Sequence, residues 1–79
     1  MEYDHNKVDQ MVLALLTLTM FGDEPAVKAW KGYDWDVLDR LHAKGYISNP
    51  KSKSKSVVLS DEGVRLAEEL FEQHFGVKG

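Results

Sequence analysis

The spacing of apolar residues changes abruptly after Gly45. Before this glycine, apolar side chains recur every three to four positions, which is the period of an α-helix that buries one face. After it, residues 46–48 and 56–59 form short, partly β-branched runs that are typical of strands. The segment between them, residues 49–55, contains Pro50, which favours a turn and is excluded from a central strand. The pattern therefore predicts an antiparallel hairpin set among helices.

Four helices are predicted around this hairpin, because each apolar stretch is bounded by a residue that starts a helix and a residue that stops it. In chain order the starts and stops are Asp4 or Asn6 and Gly22, then Asp23 and Gly32, then Asp34 and Gly45, and finally Ser60 and Gly76. The second helix is only about two turns long and carries Pro25 in its first turn, where the missing N–H costs nothing. Val27, Trp30 and Trp35 are expected to face the core, whereas the hydroxyl of Tyr33 suits a boundary position.

The order helix, short helix, helix, hairpin, helix resembles the winged helix-turn-helix domain of bacterial regulators. The resemblance covers roughly residues 23–75. The residues that carry it are Leu38, Leu41, the Lys44-Gly45 stop and the run LSDEG at residues 59–63. It implies a mainly α fold with a small β-hairpin, that is, a winged-helix domain. We expect one such domain over residues 1–79, with frayed ends at residues 1–6 and 77–79.

A second resemblance covers the whole chain and rests on the block AWKGYDWDVLDRL at residues 29–41. This block is similar to one shared by a small family of bacterial proteins of unknown function. The family has no assigned activity, so the resemblance implies membership alone.

The composition argues against several classes of function. The chain has no cysteine, which rules out disulfides and thiolate metal sites and predicts a reducing, cytoplasmic location. No apolar run approaches the roughly 18 residues that span a bilayer, so no membrane association is expected. The three histidines, His5, His42 and His74, lack the spacing of a metal site. No serine lies in a nucleophile elbow and no glycine-rich phosphate loop is present, so we expect no enzyme, cofactor or small-molecule ligand.

The remaining class is a binding module, and the favoured partner is a protein, including a second copy of the chain. A domain of 79 residues buries only about 60% of its unfolded surface, which leaves its net stability small. The first predicted helix is apolar on more than one side, because Leu13 and Phe21 fall on or beside its polar side. These two residues are therefore the predicted contacts of a homodimer.

The alternative partner is nucleic acid. Lys51, Lys53 and Lys55 give the hairpin tip three positive charges and no negative one, so these residues would contact phosphates. Arg40, on the third helix, would be best placed to read a base edge. In the other interpretation, the lysines only keep a solvated hairpin edge from aggregating.

Charge on the third helix weighs against nucleic acid. The N-terminal part of this helix would enter the major groove, yet it begins with Asp34 and Asp36 and continues to Asp39. Phosphates would repel these carboxylates, and the formal net charge of the chain is -3. The sequence therefore favours protein contact over weak DNA binding.

Overall fold

The computed structural model of the chain describes residues 1–22 and 27–77. Its helices and strands, numbered in chain order, are α1 (His5–Leu16), β1 (Lys28–Trp30), α2 (Trp35–Ala43), β2 (Ser56–Val58) and α3 (Asp61–Phe75), with a 3-10 turn at Thr17–Thr19 after α1. The fold is therefore mainly helical with a small antiparallel two-stranded sheet, and the prediction is confirmed at that level. None of the helices in the described residues is long and apolar enough to cross a lipid bilayer.

Each helix begins at a side chain that the sequence marked as an N-cap. The Asp4, Asp34 and Ser60 side chains accept hydrogen bonds from the backbone N–H three residues later, at 3.1, 3.4 and 2.9 Å. These bonds satisfy amides that the first turn of a helix leaves without a partner. Gly45 follows α2 at a φ of 82°, a left-handed conformation that glycine adopts without strain.

The core forms where α1 packs against both α2 and α3. Its buried apolar side chains are Leu13, Ala14, Leu16, Ala29, Val37, Leu38, Leu41, Ile47, Val57, Leu59, Ala67 and Leu70. Leu13 is 1% exposed, so the expectation that it contacts a second copy is wrong. The reason is that α2 and α3 both pack against α1. Together they bury side chains on a wider part of its surface than a single apolar stripe.

The predicted second helix is wrong over the residues that the structure describes. Lys28–Trp30 forms strand β1 instead, which pairs antiparallel with β2. The register pairs Lys28 with Val58, Ala29 with Val57 and Trp30 with Ser56. Hydrogen bonding to β2 and the burial of Ala29 outweigh the helical spacing of this segment. Its predicted stop, Gly32, has no positive φ, and its predicted start at Asp23 and Pro25 lies outside the described residues.

Both tryptophans lie at the surface, contrary to the prediction that they belong to the core. Trp30 is 53% exposed, because Ala29 takes the inward position of β1 and neighbouring side chains in a strand point to opposite faces. Trp35 is 56% exposed, because the buried face of α2 begins only at Val37. Tyr33 is partly buried against the core, as predicted.

The predicted hairpin is present, but its ladder is short. Ile47 and Leu59 form one antiparallel bridge. The Ser48 amide also donates to the Val58 carbonyl at 2.8 Å. Strand β2 thus lies between β1 and this short segment. We refer to the connecting loop, residues 49–55, as the wing.

Candidate functional site

Arg40, the predicted base reader, is bound within the domain. Its Nε and Nη2 donate to the two carboxylate oxygens of Asp9 at 2.7 and 2.8 Å. Lys44 Nζ lies 3.5 Å from the same carboxylate, and the Asp9 side chain is only 1% exposed. The cluster joins α1 to α2, so Arg40 is committed to a structural contact rather than displayed for a base.

The charges of this cluster reinforce one another. Burial raises the pKa of the Asp9 carboxyl, but the hydrogen bonds and charge of Arg40, together with Lys44, outweigh burial and hold the pKa below its ordinary value of 3.8. The hydrogen bond to Asp9 raises the pKa of Arg40 in turn. Sequence reasoning missed the cluster, although a signal exists. Asp9 precedes Leu13 by four residues and Leu16 by seven, which places all three on one helical face.

A second side of α1 carries apolar side chains that the core covers only in part. The residues that line an open groove of about 320 Å³ along it are Asp4, Lys7, Val8, Met11, Val12 and Leu15. Met11 and Leu15 lie outside the main core cluster. Leu18, in the 3-10 turn that follows, is 68% exposed. We refer to Val8, Met11, Val12, Leu15 and Leu18 together as the α1 stripe.

The outward side of the sheet is both aromatic and basic. Strand alternation places Lys28 and Trp30 of β1 and Val58 of β2 on this side. Phe21 joins β1 through a backbone bridge to Lys28, and its ring centroid lies 6.2 Å from that of Trp30. Phe21 therefore stays accessible to a partner, but it lies beside the sheet and not on the first helix. We refer to Phe21, Lys28, Trp30 and Val58 as the sheet face.

The wing adjoins the sheet face and carries the predicted lysines. Lys51, Lys53 and Lys55 are all exposed. Lys31 holds the loop, since its Nζ donates to the carbonyls of Pro50 and Ser52, each at 2.7 Å. Its amide also donates to the Lys55 carbonyl at 3.2 Å. Sequence reasoning missed this role of Lys31, because no local pattern links it to a loop so far along the chain.

The histidines and carboxylates form no metal centre within residues 1–22 and 27–77, where no group of three or more His, Cys, Asp or Glu side chains is placed to hold an ion. Nδ1 of His42 lies 3.0 Å from the Ile47 carbonyl, a contact between α2 and the segment that leads into the wing. The candidate contact surfaces are therefore the α1 stripe, the sheet face and the wing.

Comparison with known proteins gives the chain a family. A family model described as a domain of unknown function, DUF6429, matches residues 4–77. The uncharacterised protein y4hR of Sinorhizobium fredii (strain NBRC 101917 / NGR234) is 53% identical over 75 residues, which cover 95% of this chain and 97% of that relative. No solved structure matches the chain significantly. The predicted resemblance is confirmed, and the chain belongs to DUF6429, a small bacterial family of unknown function.

Proposed function

We propose that this domain is a non-catalytic binding module that associates with a second copy of itself through the α1 stripe. The observation that carries the proposal is the row of apolar side chains on α1 that the domain's own core leaves partly uncovered. Val8, Met11, Leu15 and Leu18 follow one another at spacings of three and four residues. This is the spacing of a coiled-coil seam, which packs against another helix of the same kind.

A two-fold axis midway between Met11 and Leu15 suits the α1 stripe. In such an interface the same patch of both copies forms the contact. In an antiparallel crossing, Val8 of one copy then faces Leu18 of the other, and Met11 faces Leu15. Apolar side chains thereby meet apolar side chains along the whole seam, and Asp4 remains at its hydrated ends.

The expected dimer is weak. Each apolar side chain of the stripe is already partly covered, so its burial contributes about 1 kcal/mol, less than the roughly 1.5–3 kcal/mol of a fully exposed one. The two copies together gain about 8–10 kcal/mol, against an association cost near the low end of roughly 4–15 kcal/mol. The dissociation constant is therefore expected at about 0.1–1 mM.

Sedimentation equilibrium between about 10 µM and 2 mM tests this proposal. The wild-type chain is expected to shift from monomer to dimer across that range. Met11→Glu and Leu18→Glu should each weaken the dimer at least about tenfold, because they bring a carboxylate into an apolar seam. Phe75→Glu is the matched control, since it alters a side chain of 43% exposure at the C-terminal end of α3.

Two results would overturn the proposal. The first is a wild-type chain that stays monomeric throughout the range. The second is a dimer that withstands Met11→Glu but is lost in the Phe75→Glu control, because the contact surface would then lie on α3.

We also infer that the fold is a variant of the winged helix. The supporting features are β2 between β1 and the Ile47 segment, the wing that connects this segment to β2, and α3 immediately afterwards. The variation lies before α2, because residues 27–34 contain β1 and no helix. A helix-turn-helix pair is therefore not formed by that part of the chain.

Reading of duplex DNA by α2 is the weaker candidate function. Exposed Asp34 and Asp36 stand at the N-terminal end of α2, where a recognition helix meets the bases. Arg40 is held by Asp9. Phosphates that approach this end of α2 would therefore meet carboxylates that repel them, and the Arg40 guanidinium, which is paired with Asp9, would not offset that repulsion.

A further inference from the structure

We propose that the sheet face and the wing together form a binding site for single-stranded nucleic acid. Bases would stack on Phe21 and Trp30, and the wing lysines would contact phosphates. This site uses none of the residues of the α1 stripe. It also does not use α2, on which duplex recognition by a helix-turn-helix would depend.

The first argument is the concentration of positive charge. Residues 21–33 and 46–60 contain five lysines and two acidic residues, whereas the rest of the chain has five basic and 11 acidic residues. Pairing of β1 with β2 brings Lys28 and Lys31 to the same part of the domain as the wing lysines. No carboxylate of the described residues forms an ion pair with any of these five. A polyanion is therefore attracted to this region although the whole chain is negatively charged.

The second argument is the pair of aromatic rings. Phe21 and Trp30 are 43% and 53% exposed, and their centroids lie 6.2 Å apart with 43° between the ring planes. Neighbouring aromatic rings left in water indicate a contact surface. Stacking on such rings tolerates any sequence, because every base has a π-face. A duplex hides these base faces and a single strand exposes them, so the rings favour a single strand.

The third argument is that the wing is held before a ligand arrives. The Lys31 ammonium donates to the Pro50 and Ser52 carbonyls, and Pro50 itself is fully buried. The same ammonium lies 6.0 Å from the centre of the Trp35 ring. A loop that is already ordered loses less conformational entropy on binding than a free loop. The wing lysines are thus presented on a fixed backbone.

These arguments together separate nucleic acid from an acidic protein segment. Aspartate and glutamate side chains would pair with the lysines but would leave the two rings without a stacking partner. A duplex would supply phosphates but no accessible base faces. A single strand supplies both, which is the reason to choose it.

Fluorescence anisotropy with labelled oligothymidine and oligouridine of about 12 nucleotides tests the proposal. At about 20 mM salt, a dissociation constant of about 1–50 µM is expected for at least one of the two strands. The affinity should fall with salt at a log–log slope of about -2.8, because Lys28 and the three wing lysines would each neutralise one phosphate. Preference between the two strands would show whether the sugar or the thymine methyl is also recognised.

Two variants separate stacking from charge. Trp30→Leu keeps an apolar side chain but removes the ring, so it should weaken binding about tenfold with the salt slope unchanged. Simultaneous change of Lys51, Lys53 and Lys55 to glutamine should weaken binding and reduce the slope to about -0.7. Far-UV circular dichroism of each variant confirms that it remains folded.

Matched controls come from α3, outside the sheet face and the wing. Phe75→Leu removes an exposed ring from α3, and Arg65→Gln removes an exposed charge from the same helix. Both should bind within about twofold of the wild type, because neither touches the sheet face or the wing.

Several outcomes would overturn the proposal. Absence of binding to both strands at about 200 µM protein and low salt removes it. If Trp30→Leu binds with unchanged affinity, no base stacks on Trp30 and the lysines bind only through non-specific charge. If a duplex of the same length binds at least as tightly, the surface recognises phosphates and not base faces. If polyglutamate competes equally at matched charge, the surface fits an acidic protein segment instead. None of these measurements depends on whether the chain dimerises through the α1 stripe.

Discussion

Replacement of Asp9 by asparagine is the sharpest test of what joins α1 to α2. The carboxylate is 1% exposed, accepts hydrogen bonds of 2.7 and 2.8 Å from Arg40, and lies 3.5 Å from Lys44 Nζ. Asparagine keeps the volume but turns an NH₂ group toward the guanidinium donors, and both cations lose their counter-ion. Removal of one partner from a fully buried ion pair costs about 3–5 kcal/mol. Since the Arg40 side chain is 28% exposed and water can solvate it, we expect Asp9→Asn to cost about 2–3 kcal/mol.

The cost should depend on pH in one direction. The pKa of Asp9 in the folded domain lies below its ordinary value of 3.8, so the unfolded chain takes up the proton first as the pH falls. The stabilisation from Asp9 is complete above the pKa of the unfolded chain and is lost as the pH falls through the lower pKa of the folded state. The difference in unfolding free energy between wild type and Asp9→Asn is therefore constant from pH 7 to about 5 and shrinks below about pH 4.

Urea unfolding followed by far-UV circular dichroism measures this difference at each pH. Glu69→Gln is the matched control, because Glu69 is an exposed carboxylate of α3, and its change should cost less than about 0.5 kcal/mol. A cost of Asp9→Asn below about 0.5 kcal/mol at pH 7, or one that persists undiminished in acid, would refute the reasoning.

Four further substitutions test the packing by urea or thermal unfolding. Gly63→Ala should destabilise the domain although alanine favours helices by about 1 kcal/mol, because its Cβ would overlap the Tyr46 carbonyl; a stabilised variant would contradict this. Ser60→Ala should cost about 2 kcal/mol, since the hydroxyl both caps α3 and donates to a carbonyl just after α2 at 2.7 Å; a neutral change would show that neither bond matters. Leu41→Ala should cost roughly 2–5 kcal/mol, and a cost typical of a surface position would place Leu41 outside the core. Thr17→Val should stabilise by about 1 kcal/mol, because the Thr17 hydroxyl is buried without a hydrogen bond; a lower melting temperature would reveal a partner for it.

Local signals were enough to predict α1, α2 and α3. Capping is an interaction between residues three positions apart, so Asp34 and Ser60 mark the starts of α2 and α3 without knowledge of the rest of the fold. Strand β1 differs, because its pairing partner β2 lies far along the chain. Strand β1 has only three residues, and Ala29 alone points inward. So short a segment shows no apolar periodicity that would distinguish a strand from a short helix. The prediction therefore failed where structure depends on a distant partner.

The same limit applies to the candidate surfaces. The charge of the wing is a property of adjacent residues, so Lys51, Lys53 and Lys55 could be identified from the sequence. Lys31 anchors the wing, and Asp9 binds Arg40 within the domain. Both contacts join segments that lie far apart in the sequence, so no local pattern predicts them. Exposure of Trp30 also followed only from the strand register.

The uneven distribution of charge also bears on how the protein behaves on charged matrices. Retention on an ion-exchange resin depends on the charge of the surface that contacts the resin and not on the net charge of the whole chain. The formal net charge of -3 is therefore a poor guide to retention. The lysines of the sheet face and the wing should hold the protein on a sulfonate matrix at neutral pH and low ionic strength. The acidic residues of the rest of the chain should hold it on a quaternary amine. Purification by ion exchange would thus select between two orientations of the same molecule.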